Sequence, residues 1–184
     1  MASLQTLSDP DRRIAARWAV ECAQHVLPLF EADALSKEQL FDALARAGAY
    51  SRGESTAADE IGKRLTAVKA AGAATTPAGA AAARSVAQAA AVAHMGAHAL
   101  GAAAYAAKAV SLDNPGQPEL VQEEIRWQLE QLTANEQAVL RLLPPLGSDA
   151  SGPLGAGLLS SGILGAAIRE IQVQIHRVQP GLQG

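Results

Sequence analysis

The sequence predicts an all-α fold: a compact bundle of about six or seven helices around a long alanine-rich central helix. Three observations predict it. Forty-two of the 184 residues are alanine, the strongest helix former, whereas aromatic residues make up only 3% and Ile and Thr, which with the aromatics fill sheets, are sparse. Apolar residues recur at helical spacing, and no convincing alternating strand appears anywhere. The length suits one domain with a substantial core, and 49% hydrophobic residues against 18% charged ones exclude a fully disordered chain.

The first helix is expected to begin near Pro10, capped by Ser8 or Asp9, because proline at the first turn lacks an N–H that would be unpaired anyway. Ile14, Trp18, Cys22, Val26 and Leu29 share one face, with Arg13, Arg17, Glu21 and Gln24 opposite. Pro28 kinks or ends it. Ser36 and Gln39 form a capping-box signature for a second helix that stops near Gly53. A third follows from Ser55 or Thr56, with Ile61, Leu65 and Val68 as its stripe. The fourth and longest runs from about Pro77 to Ser111. It is apolar on almost every face, as a central helix must be. Its small side chains leave the larger ones to come from its neighbours.

After the turn cluster SLDNPGQPEL, a fifth helix starts at Pro118 with Leu120, Ile125, Trp127, Leu129 and Leu132. Thr133 and Glu136 open a short helix through a capping box, and Pro144 and Pro145 terminate it. The Gly-rich stretch GSDASGPLGAG is read as a turn and helix entry. It has no Lys-Ser or Lys-Thr after it and no strand before it, so it is not a phosphate loop. A last amphipathic helix covers 158–179 through Leu159, Ile163, Leu164, Ala167, Ile168, Ile171 and Ile175.

Charge and cysteine usage narrow the setting. Fifteen basic against eighteen acidic residues give a net charge of −3, which argues against a nucleic-acid or anionic-membrane binder. The lone Cys22 forbids an intrachain disulfide and points to a reducing, cytoplasmic home. The N-terminus MASLQTLSDPDRR lacks the pattern of a signal peptide. Residues 85–107 carry no formal charge, yet they are mostly Ala and Gly interrupted by Gln88, His94 and His98, so a buried helix is expected there rather than a membrane span.

Few constellations invite chemistry. His94 and His98 are four apart in the long helix, a spacing that puts both imidazoles and Tyr105 on one stripe. Cys22 and His25 are three apart in the first helix. Together Cys22, His25, His94 and His98 form the one conceivable tetrahedral metal set, and the plainer expectation is hydrogen-bonded core histidines with no metal and no cofactor. Cys22 beside His25 could be an activated nucleophile, although a small buried thiol is the commoner outcome. Trp18 and Trp127 are expected as core anchors, with an interface role as the alternative for either. Glu119, Glu123, Glu124 and Glu130 are expected on a solvated helix face. No catalytic residue is assigned.

The segments RWAVECAQHVLPLFE (17–31), AHMGAHALGAAAYAAKAV (93–110) and EIRWQLEQL (124–132) together resemble the Imm-five-like immunity proteins of bacteria. The shared pattern falls on Trp18, Cys22, Val26, Leu27 and Pro28, on His94 and His98 with Tyr105 on their stripe, and on Trp127 and Gln128. It covers roughly residues 10–135 of a single domain and leaves 136–184 as a C-terminal helical extension. The resemblance implies a small cytoplasmic antidote that binds and blocks a cognate toxin domain, with no catalytic residues of its own. The alternative is a helical ligand- or metal-binding protein, and conceivably an enzyme, centred on His94 and His98. A homodimer packed through alanine-rich helices is a third possibility.

Overall fold

The computed structural model describes residues 3–63 and 65–177. α1 (Asp9–Val26) starts where proline and cap predict it, with Ser8 Oγ accepting the Asp11 N–H at 3.2 Å. It ends at Val26, and Pro28 sits in the tight 3-10 turn that follows. α2 (Ala34–Ser51) is capped by Asp33 and not by Ser36. The Asp33 carboxylate accepts both the N–H (3.0 Å) and the hydroxyl (2.7 Å) of Ser36, so the helix opens earlier and Ser36 lies inside its first turn. Gly53, at φ +79°, follows its end. α3 (Ala57–Lys63) and α4 (Leu65–Ala71) come next.

The expected long central helix is two helices. α5 (Pro77–Ala91), capped by Thr76, and α6 (His98–Asp113) are separated by a turn over residues 92–97. Gln88 bonds His98 and Ser85 bonds the carbonyl of Ala102, so the two helices run back along each other as a hairpin. The break has a tertiary cause. The N–H groups of Gly96 and Ala97 bond the carbonyls of Thr6 and Gln5, both at 3.0 Å. Leu7 occupies the space a side chain at position 96 would need, since a Cβ there would lie 2.4 Å from Leu7 Cδ1. The N-terminal segment thus competes for the backbone groups that a continuous helix would pair internally.

α7 (Pro118–Glu130), α8 (Ala134–Leu140) and α9 (Gly162–His176) complete the described elements. α5 packs against α1, α2 and α4; α6 packs against α1, α7 and α9; α8 lies on α1. The α5–α6 hairpin is therefore the axial layer. Ala81, Ala82, Ala83, Ala102, Ala103, Ala104, Ala106 and Ala107 are buried within it, and most of the largest buried side chains, such as Trp18, Tyr50, Ile168 and Ile171, come from its neighbours. The capping box at Thr133 and Glu136 is present as expected. On α9, Leu164, Ala167, Ile168, Ile171 and Ile175 are buried, as is Leu159 just before it, while Ile163 is half-buried. The expected final turn at 178–179 lies outside the described residues. Among the described residues there is no strand, only an isolated bridge between Asp149 and Gly155. No helix among them is long and apolar enough to cross a membrane.

Candidate functional site

Two polar regions hold the residues singled out by the sequence. The first lies between α1, α7 and α8. α7 ends at Glu130, so its last carbonyls lack intrahelical partners. Trp18 fills one need, its indole Nε1 donating to the Gln128 carbonyl at 2.7 Å. Arg17 fills another, donating from Nη2 to the Gln131 carbonyl at 2.9 Å. The buried Gln128 amide nitrogen donates to the Ala103 carbonyl (3.1 Å) and to Glu124 Oε1 (2.9 Å). Both partners are acceptors, which fixes the amide's orientation; Oε1 has no partner among the described residues. Glu124 Oε2 takes His25 Nδ1 at 2.7 Å, and the His25 ring stacks on Trp127 with centroids 3.7 Å apart.

Glu124 corrects the sequence reading. Glu119, Glu123 and Glu130 are exposed as expected, but Glu124 is buried. It sits one helical turn before Gln128, on the stripe that also buries Val121 and Ile125. Polar residues on an otherwise apolar stripe were the available signal. Glu136 is buried too. Besides its capping role it receives Arg17 on both oxygens, through Nη2 at 2.6 Å and through Nε, and Arg17 also reaches Glu21 at 2.8 Å. Cys22 is fully buried among these groups. Burial first, then the charges of Glu124, Glu21 and Glu136, push its thiol well above the ordinary range. A thiol held in this protonated form is a poor nucleophile.

The second region is a groove of about 400 Å³ at the α5–α6 turn. His94 does not share a helix face with His98: it lies in the break, and His98 is the first residue of α6. The turn, and not a helical repeat, brings both imidazoles to the groove, which Met95 and Tyr105 also line. His98 Nδ1 is 2.8 Å from Gln88 Oε1. An amide oxygen only accepts, so Nδ1 carries the proton and Nε2 keeps its lone pair. Burial first, and then the neighbouring His94, lower the His98 pKa to about 4, which leaves the ring neutral at physiological pH. Burial raises the pKa of the Tyr105 phenol, with Arg84 pulling the other way.

The opposite wall is the Gly-rich loop, and a residue absent from the sequence reading holds it. Gln5, fully buried, donates from Nε2 to Asp149 (2.6 Å) and to the Ser151 carbonyl (2.8 Å), and its Oε1 accepts the Leu154 N–H at 2.9 Å. Gly152 has φ +80°, and a Cβ there would lie 2.7 Å from Gln5 Oε1. Gln5 lies before the first helix in a segment without periodicity, so its sequence carried no signal.

The structure does not gather Cys22, His25, His94 and His98 into a metal set. Among the described residues no group of three or more His, Cys, Asp or Glu could hold an ion. His25 is committed to Glu124 and Trp127, whereas His98 is committed to Gln88.

No curated protein and no solved structure matches the chain. A family model does match, over residues 5–135, a span that holds α1, the α5–α6 hairpin, α7 and Gln5. By that match the chain belongs to the family described as Imm-5 like putative immunity protein.

Proposed function

We propose that this chain is a non-catalytic immunity protein that binds and neutralises a cognate toxin domain in the bacterial cytoplasm. The family match is the observation that carries the reading. The fate of two family residues supports it: Trp18 and Gln128 are tied, with Glu124 and His25, into one hydrogen-bonded network rather than converging on a cleft with a free nucleophile. We take the chain as one domain, with 136–184 extending the bundle through α8 on α1 and α9 on α6. The contact surface we favour is the outer face of α7, where Glu119, Glu123 and Glu130 are exposed beside the half-buried Trp127. Carboxylates around an aromatic anchor suit a basic toxin surface.

Co-expression with the toxin encoded beside this gene tests the reading. Growth rescue and a 1:1 complex on gel filtration are the expected result. Toxicity unchanged by the chain, with no complex for any neighbouring toxin, would overturn it. Light scattering of the free chain settles whether it is also a homodimer. A second reading, a ligand site at His94 and His98, is favoured by the groove and is developed next.

A further inference from the structure

We propose that the groove at the α5–α6 turn is a soft-metal site in which His94, Met95 and His98 hold one cuprous ion. The inference stands on the groove and not on the toxin reading. Sequence spacing had paired the histidines with Cys22 and His25; the structure removes those two and places Met95 beside the histidines in the lining of the groove.

Three observations carry it. First, His98 is held as a ligand histidine is held. Its Nδ1–H is given to Gln88, and its other ring nitrogen makes no hydrogen bond among the described residues. Such an outer partner fixes the tautomer and the ring orientation in most metal-bound histidines. Gln88 is itself seated in a notch that only glycine leaves open, because a Cβ on Gly101 would stand 2.2 Å from its Oε1. Second, the donors are neutral and soft. Among the described residues no carboxylate lines the groove. Calcium and magnesium need oxygen ligands, and a thioether beside imidazoles selects cuprous copper over zinc. A site without a counter-charge also tolerates a monovalent ion better than a divalent one. Third, the site is ready in the metal-free chain. The wall carrying Pro153 and Leu158 is fixed by Gln5.

The test is a titration of the untagged full chain with Cu(I) under ascorbate, with bicinchoninate as competing chelator and Zn(II) in parallel. The expected result is one Cu(I) per chain, with zinc bound more weakly. X-ray absorption of the loaded protein should show sulfur together with nitrogen ligands. Met95→Leu keeps the volume and apolar packing while deleting the sulfur, and His94→Ala changes an exposed side chain. Both should abolish tight binding while leaving the circular dichroism of the metal-free chain unchanged, which keeps the test decisive even if His98→Ala fails to fold. Gln88→Leu should weaken binding roughly 10- to 100-fold. Cys22→Ala should leave copper binding unchanged. No retained copper, binding indifferent to both Met95→Leu and His94→Ala, zinc as tight as copper, or loss of copper in Cys22→Ala would each overturn the proposal.

Discussion

On the tryptophan side of the bundle, between α1, α7 and α8, the side chains that invite chemistry are already committed to other parts of the chain. Trp18 caps a carbonyl of α7, His25 is bonded to Glu124, and Arg17 is forked onto Glu136. On the groove side, Gln88 orients His98 but leaves its second nitrogen free, and among the described residues neither the His94 imidazole nor the Tyr105 hydroxyl makes a hydrogen bond. Both regions contain residues of the family pattern. What separates them is how far the hydrogen-bonding capacity of those residues is used up: on the tryptophan side Gln128 Oε1 is left over, and on the groove side the His94 ring and the Tyr105 hydroxyl are. A committed network specifies and rigidifies a core, whereas uncommitted groups at the edge of a groove are available to something else.

The largest expected effect breaks the committed side. Trp18→Ala removes a fully buried indole and the cap on the Gln128 carbonyl. It should cost about 3–5 kcal/mol, the range for large aromatic truncations. Urea unfolding would measure it, and Trp18→Phe would separate the loss of volume from the loss of the hydrogen bond. A cost under about 1 kcal/mol would mean that the tryptophan side is not the anchor of the bundle.

The next effect belongs to the groove and depends on pH. His98 titrates near 6.5 when unfolded and at about 4 when folded. Between those values the unfolded chain binds the extra proton, so this contribution is complete above about pH 6.5 and is lost as pH falls toward 4. The loss should approach about 2–3 kcal/mol. Carboxylates also titrate in this window, so the informative quantity is the difference between wild type and His98→Asn. Urea midpoints at about pH 7 and about pH 4.5 should fall further in wild type than in the variant. Equal slopes would show that His98 is not held neutral.

A smaller effect separates the two regions directly. Gln5→Ala leaves the Leu154 N–H and Asp149 without their partner and should cost about 1–3 kcal/mol. The loss should be local. Amide exchange should rise across residues 147–157 and at Gly96 and Ala97, while protection in α1 and α7 stays as it was. A uniform rise over the whole chain would show that groove and tryptophan side unfold as one unit.

How much of this was legible follows from how far each partner lies along the chain. The Ser8 cap, the stop at Pro28 and the Thr133–Glu136 box depend on residues within one helical turn, and the sequence reading matches the structure there. The cap of α2 was misplaced because Asp33 outcompetes Ser36 from three residues away, a choice between two sound local signals. The break at 92–97 was illegible: nothing within the alanine run announces that Gln5 and Thr6 will take its amides. The histidine pairing was expected for the wrong reason, since a turn and not a helix face delivers it. Glu124 stood in plain view as an acid on an apolar stripe, but its partner His25 lies 99 residues away.

Cys22 gives the smallest expected effect and the sharpest check on the committed side. The thiolate is the reactive form, and burial together with Glu124, Glu21 and Glu136 opposes its formation. Iodoacetamide at about pH 8 should therefore leave the native chain unlabelled, whereas the urea-unfolded chain should take up one equivalent. Cys22→Ala deletes one sulfur from a well-packed position and should cost about 1 kcal/mol, with the stacking of His25 on Trp127 intact. Labelling of the native chain at the rate of a free thiol would mean that α1 and α7 part readily. The tryptophan side would then be the region that opens, and the groove, pinned by Gln5, the fixed one. That result would reverse the assignment of structure to one region and availability to the other.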